Sequence, residues 1–409
     1  LFKDVAVWWN TLPIAAKRYI LFQALFIPVL FAWILVPYLM LATGLGVAEA
    51  GIVLTIASAV AAMVNAFVGR TLDRAEPIIF IAILSFVEGI AYLIYMYGFL
   101  ASILLLIIIA AIVERLARGF YPVFAVYEYD VYPEEIREKA FALHNLIPYL
   151  VQLVTYPVIG YVLAVLLGSL FAQIVSLCMF AIASIVLGFL ALLWLPRIGV
   201  RRMKVSQPLL LRGIPRAFLK MGLAMIIFGI AFELCQPLVV ANLFMNIAGN
   251  PLMGLALYET FAALPVVVIS PLILRVNRGH GVSMLTLGMG LIASADLLLG
   301  FSYRVEIALL AATVASAGYA LMNPFFMDVL FSTIPGEHRG MLLGSLAAIR
   351  RLIGIAMPAI AGFLAEINAH LPFIAAAITM PVSMSLALSI AKQRYDNMKN
   401  NANLNSLLE

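Results

Sequence analysis

Three ions interrupt an otherwise apolar run at Ala111-Ile-Val-Glu114-Arg115-Leu-Ala-Arg118-Gly119. An isolated ion at mid-bilayer costs about 2.5–3.5 kcal/mol on insertion scales, so charges there need partners or a wet cavity. Glu114 and Arg118 stand four residues apart on one helix face and neutralise one another. Arg115 lies about 100° around the helix and needs a partner from another element. Read from the residues alone, the Glu114–Arg118 pair is a structural staple. A second pair of acids, Glu233 and Glu259, falls at similar depth in two successive apolar runs, about 13 Å of helix from their outer ends. If these carboxylates meet, they compete for one charge and one of them holds a proton, as proton coupling requires. A cation site is the competing use, and separate satisfaction by Gln236 or Tyr258 is the plain one. Arg350 and Arg351 sit together in a late apolar run. Guanidinium pairs bidentately with carboxylate or phosphate, so with Arg115 they form a candidate clamp for an anion; the alternative is pairing with intramembrane acids that holds a bundle together. Gln23, His144, Asn145, Gln236 and Asn323 are the neutral candidates for lining a substrate cavity.

The elements that must position these residues are long apolar helices. Apolar residues make up 65% of the 409-residue chain and charged residues 11%, against roughly a quarter charged in soluble domains. Runs of about 20 apolar residues predict twelve spans, over 19–42, 47–68, 77–98, 101–127, 140–166, 170–195, 218–242, 250–272, 281–301, 305–329, 340–365 and 371–391. With both termini in the cytoplasm, twenty of the 25 Lys and Arg residues fall on the inner side, four fall within spans, and Arg304 alone falls outside. That asymmetry sets the orientation and accounts for the net charge of +5 without a nucleic-acid partner. Cys178 and Cys235 both lie in spans, so neither a disulfide framework nor a zinc spacing is present. Residues 1–18 predict an interfacial lead-in with Trp8 and Trp9 at headgroup level, and the Asn-rich stretch after Asp396 predicts a disordered tail.

The second half of the chain repeats the first at an offset of about 202 residues. Pro133 and Arg137 correspond to Pro335 and Arg339, and each pair is followed about one span later by a helix proline, Pro157 or Pro358. Parallel repeats in so apolar a chain place a site between the halves. The basic stretch 196–217 is the candidate joint, giving a six-helix bundle over 1–195, a second over 218–392 and a polar tail over 393–409.

The loop after the second predicted span carries Gly69-Arg-Thr-Leu-Asp73-Arg74, with an eroded copy at Arg275-Val276-Asn277-Arg278. This resembles motif A of the major facilitator superfamily, and the resemblance extends to the twelve spans, the basic central loop and the two related halves. It implies an all-α membrane protein of two pseudo-symmetric bundles. It also implies a cytoplasmic gate in which Asp73 caps the helix near Arg339-Gly340 and Arg74 pairs with Glu128 or Asp130. Arg115-x-x-Arg118-Gly119 is similar to motif B of the drug:proton antiporter families, with Arg where they carry Gln; this implies that Arg115 is the coupling residue. Of motif C only Pro157 and Gly160 remain, and the acid-rich signature of proton-coupled peptide transporters is missing from the first span. In this family Glu88 and Asp296 fall on peripheral helices, which implies no contact with substrate.

The expected function is secondary active transport by alternating access, through a monomer in the plasma membrane with both termini cytoplasmic. The expected cargo is an amphipathic small organic molecule leaving the cell in exchange for protons. The alternative is an organic-anion or metabolite symporter or exchanger using the intramembrane arginines. A third class is a non-transporting sensor or lipid scramblase. No phosphate loop, nucleophile–base pair or metal set is visible, so no enzyme activity, cofactor or metal is expected.

Overall fold

The computed structural model describes residues 2–72, 76–133, 136–197, 215–273, 280–333, 346, 349–350 and 352–408. The gate residues Asp73 and Arg74, their expected contact at Arg339-Gly340, and Arg351 lie outside the described residues. Among the described residues every regular element is a helix. Nine segments of the described residues are long and apolar enough to cross a membrane. Two shorter apolar helices, Val47–Met63 and Leu352–Ile367, cover the second and eleventh predicted spans. The fourth predicted span, helices Leu104–Arg118 and Pro122–Val131, carries too many charges to stand out by hydropathy.

Four spans are discontinuous, and in three of them a proline opens the segment after the break. The first divides at Phe31 into Ile14–Leu30 and Ala32–Ala42, three residues after Pro28. The fourth stops at Arg118 and restarts at Pro122, and the seventh stops at Leu234 and restarts at Pro237. In the eleventh, Met357-Pro358 opens the helix Met357–Ile367. Proline removes a backbone donor and disfavours helical geometry in the residue before it, but is well suited to a helix's first turn. Irregular backbone at membrane depth survives only where protein or a cavity satisfies it.

The halves meet toward the end of the bundle that carries the short loops. There the second span crosses the eleventh with almost no room: a Cβ on Gly51 would overlap the Pro358 carbonyl, and one on Gly362 would come within 2.7 Å of the Val47 carbonyl. Thr55 Oγ1 accepts a hydrogen bond from the Ala359 amide at 3.0 Å, satisfying a donor freed by the break. The fifth span packs on the eighth, with Gly160 directly against Ala256, so the remnant of motif C serves close helix packing. Asn250 closes this end by donating to the Ala164 carbonyl at 3.1 Å. On the outside, Leu193, Ile367 and Met179 expose 86%, 76% and 72% of their surface, a belt suited to hydrocarbon and unsuited to water.

Several boundaries depart from the sequence expectation, among them the start of the first span at Ile14 and the end of the second at Leu72. The seventh span continues past the break to Ile247 rather than ending near 242, because Pro237 starts a new apolar helix. The twelfth helix runs from Leu371 to Leu408, so the stretch expected to be a disordered tail is helical. Its Met, Lys, Ala and Leu residues favour helix and offset the poor propensity of its asparagines, because the long span before it has already nucleated the helix.

Candidate functional site

Three arginines line one cavity. Arg115 and Arg118 enter from the fourth span and Arg350 from the eleventh, around a space of about 420 Å³ that also contacts Ser58, Glu233 and the broken backbone at Gly119 and Gly354–Pro358. Arg115 and Arg118 stand three residues apart in the last turn before the break, on one face of the helix, so both reach this space. Arg118 forms an ion pair with Glu114, as the four-residue spacing predicts, and lies over the Trp33 ring with its guanidinium carbon 4.0 Å from the centroid. Glu114 is buried and also accepts from Tyr95 Oη at 2.9 Å, so it faces protein rather than the cavity. Arg115 is within electrostatic reach of Glu233 on the seventh span, yet its Nε, like that of Arg118, is buried without a hydrogen-bond partner. Both Nε atoms are closed off from the cavity, so an oxyanion there would be met by the terminal nitrogens of these guanidiniums. Arg350 rests against Gly229, where a Cβ would stand 2.8 Å from its Nε.

A larger cavity of about 790 Å³ adjoins the first and shares Met225, Met327 and Arg350 with it. Its walls are mostly apolar and aromatic, among them Ile34, Phe228, Phe232, Val240, Leu255 and Phe326, with Tyr149, Gln152, Gln236, Glu259, Asp296, Tyr319 and Asn323 as the polar groups. Glu259 accepts from Gln152 Nε2 at 3.3 Å, and the same amide donates to the Glu259 carbonyl at 3.1 Å. Asp296 accepts from Cys235 Sγ at 3.5 Å. Gln236 sits at the break of the seventh span with its side-chain nitrogen buried and unpartnered.

Several expectations require correction. Glu233 and Glu259 do not form a shared site: Glu233, on the seventh span, lines the arginine cavity, and Glu259, on the eighth, lines the larger one. Glu259 is satisfied by Gln152, not by Gln236 or Tyr258. Asp296 is not peripheral but lines the larger cavity, and Glu88 is fully buried, with Tyr121 Oη donating to its Oε1 at 3.4 Å. Gln23, His144 and Asn145 line neither cavity. Gln23 donates to Tyr19 Oη at 2.8 Å, and Tyr19 donates to Glu128 at 2.8 Å. His144 Nδ1 lies 2.8 Å from Tyr132 Oη, its Nε2 lies 3.8 Å from Glu128, and the side chain of Asn145 is exposed. Glu128, one of the two acids expected to pair with Arg74, stands in a network with Tyr19, Tyr132 and His144; Arg74 itself lies outside the described residues. Gly69 is helical, within Val47–Leu72, as is Asp130 within Pro122–Val131. Sequence reasoning passed over Gln152, Tyr149, Tyr319 and Trp33; mid-span prolines at 122 and 237 were the signal that could have drawn attention to the wall around them.

Broken helices from both halves thus surround a divided cavity, with three arginines and Glu233 in one compartment and Glu259, Asp296 and the shared Arg350 in the other. No curated protein sequence matches the chain. Among solved structures, the human organic anion transporter MFSD10 superposes with a TM-score of 0.63 at 14% identity, over 92% of this chain and 100% of that one. A POT family transporter in complex with a thioalcohol-conjugated peptide gives 0.67 at 13% identity, over 94% and 98%. The E. coli fucose:proton symporter FucP gives 0.59 at 12% identity, over 93% and 98%. At such identities the likeness is one of fold. Residues 20–280 match the family model of the Major Facilitator Superfamily, and with the twelve-span architecture this identifies the chain as a multi-pass membrane transporter of that superfamily.

Proposed function

We propose that this chain is a proton-coupled secondary transporter of amphipathic organic anions, working by alternating access. The observation that carries this reading is the cavity lined by arginines from both halves: Arg115 and Arg118 from one, Arg350 from the other. A carboxylate, sulfonate or phosphate bridging them is held by both halves at once, which is how a substrate biases their relative movement. The adjoining larger cavity supplies an apolar wall for the rest of the molecule. That one of the structural neighbours is an organic anion transporter accords with this reading, as does the fucose:proton symporter for proton coupling.

Drug:proton exchange with export of an amphipathic molecule is the second reading. It is favoured by Glu259 and Asp296, two acids in the wall of the larger cavity that are hydrogen-bonded by Gln152 and Cys235 rather than by an arginine. The charge of the accepted substrate separates the two. Equilibrium binding of 1-naphthalenesulfonate, an apolar body with a permanent negative charge, is the direct test. Wild type binds it, and Arg115→Ala and Arg350→Ala each weaken binding at least about tenfold, the equivalent of 1.4 kcal/mol. Equal binding by all three proteins, or preference for a naphthyl-ammonium analogue, would favour the export reading. The basic loops belong on the cytoplasmic side of the plasma membrane with both termini, and the protein works as a monomer.

A further inference from the structure

Glu88 of the third span has no part in the transport site as described, yet its surroundings are unusual. It is fully buried; Oε1 has only the long hydrogen bond from Tyr121, and Oε2 has no partner. The indole N–H of Trp33 lies nearby but completes no hydrogen bond. The groups facing Glu88 from the packed elements are Glu114, Arg118 and Tyr121 of the fourth span and Tyr92 of its own. The sixth span, packed against the third, contributes no charged side chain. Among the described residues the one nearby cation, Arg118, is already committed to Glu114 and to the Trp33 face, and it also borders the arginine cavity.

The charges around that cavity can be counted among the described residues. Arg115, Arg118 and Arg350 are set against Glu114, Glu233 and Glu88. With Glu88 ionised these charges cancel. With Glu88 neutral one positive charge is left over for an incoming anion. The link is local, because Arg118 both feels Glu88 and borders the void where the anion would sit.

We propose that Glu88 is the site of the coupling proton, and that its protonation and occupancy of the arginine cavity by an anion favour one another, so that proton and anion travel together. The proposal rests on the anion reading above and narrows it to co-transport. It assigns Glu88 a coupling role through Arg118, not contact with substrate. By linkage, binding of the anion raises proton uptake and protonation raises anion affinity by the same factor.

The test uses the full chain in lipid nanodiscs with 1-naphthalenesulfonate, whose sulfonate stays ionised across the working pH range, so any pH dependence belongs to the protein. Wild-type affinity falls by up to about tenfold per pH unit once Glu88 ionises. Glu88→Gln, a permanent mimic of the neutral acid, removes that slope and keeps the tighter affinity at high pH. Tyr121→Phe, a milder variant, moves the break in the profile to higher pH, because the lost hydroxyl favours the ionised carboxyl. Infrared difference spectra give a readout that needs no ligand: the carbonyl stretch of a protonated carboxyl is present in wild type and lost in Glu88→Gln. An unaltered band in Glu88→Gln, or the wild-type slope retained in it, overturns the assignment. A wild type that shows the Glu88-dependent band but binds no sulfonate sinks the anion reading, and with it the linkage. Binding with no pH dependence in wild type overturns the linkage alone.

Discussion

Arg118 satisfies three demands with one guanidinium: it neutralises Glu114, stacks on Trp33 and edges the cavity. Glu114 has nearly no access to solvent, at 4% of its side chain, whereas 24% of the Arg118 side chain is exposed. Removing Glu114 therefore strands a cation that water reaches only in part. Breaking a buried pair typically costs about 3–5 kcal/mol, and the exposure of Arg118 places this pair toward the lower end. Glu114→Ala is expected to lower the thermal unfolding midpoint in detergent markedly, with recovery when Arg118→Leu is added. An unchanged midpoint would mean that the pair contributes nothing to stability. The Glu114–Arg118 pair was legible from its four-residue spacing, and the need of Arg115 for something beyond its own helix followed from the turn angle. Glu88 and Asp296 were not legible in this way. Both were assigned to peripheral helices by analogy, whereas the physical rule that an intramembrane acid has a function by default pointed the other way.

At the scale of elements, the breaks in the spans decide where polar groups can stand. Gly119 follows the last turn before the break in the fourth span, Gln236 occupies the break in the seventh, and Ile355 and Pro358 flank that in the eleventh; all line a cavity. Hydrophobic periodicity gives the spans but not their interruptions, since a proline two-thirds of the way along an apolar run leaves its mean hydropathy almost unchanged. Helix packing adds a further constraint on Arg350, which uses the space left by Gly229. Gly229→Ala costs little as helix propensity, and indeed favours helix. Its Cβ would nevertheless meet Arg350 Nε at 2.8 Å and move the guanidinium. The expected outcome is a protein as stable as wild type that binds 1-naphthalenesulfonate at least about tenfold more weakly. Unchanged affinity would show that Arg350 holds the anion from some other position.

For the whole molecule, the two halves are tightly apposed at the short-loop end, where Gly51 and Gly362 allow the second and eleventh spans to cross backbone on backbone. In a bilayer no hydrophobic gain holds helices together, so such close packing is what stabilises this closed end. Gly51→Val removes the contact and shifts the population toward states open at that end. Spin labels at Ser169 and Asn368, one on each half at the short-loop end, are expected to show a longer distance component in the variant. An identical distribution would mean that closure rests on other contacts. The repeat, the twelve spans and the charge asymmetry were all visible in sequence because each is a property of the chain summed over many residues. Which acids share a cavity was not, because it depends on two helices meeting at one depth.

Transport itself tests the central claim most directly. Proteoliposomes loaded with a pH-sensitive dye would be given 1-naphthalenesulfonate outside, with wild type beside Arg115→Ala and Arg350→Ala. Wild type is expected to move the sulfonate together with protons, acidifying the lumen, and both variants to move neither. Sulfonate movement that persists undiminished in the two arginine variants, or transport of an organic cation in its place, would contradict the assignment of the arginine-lined cavity as the substrate site.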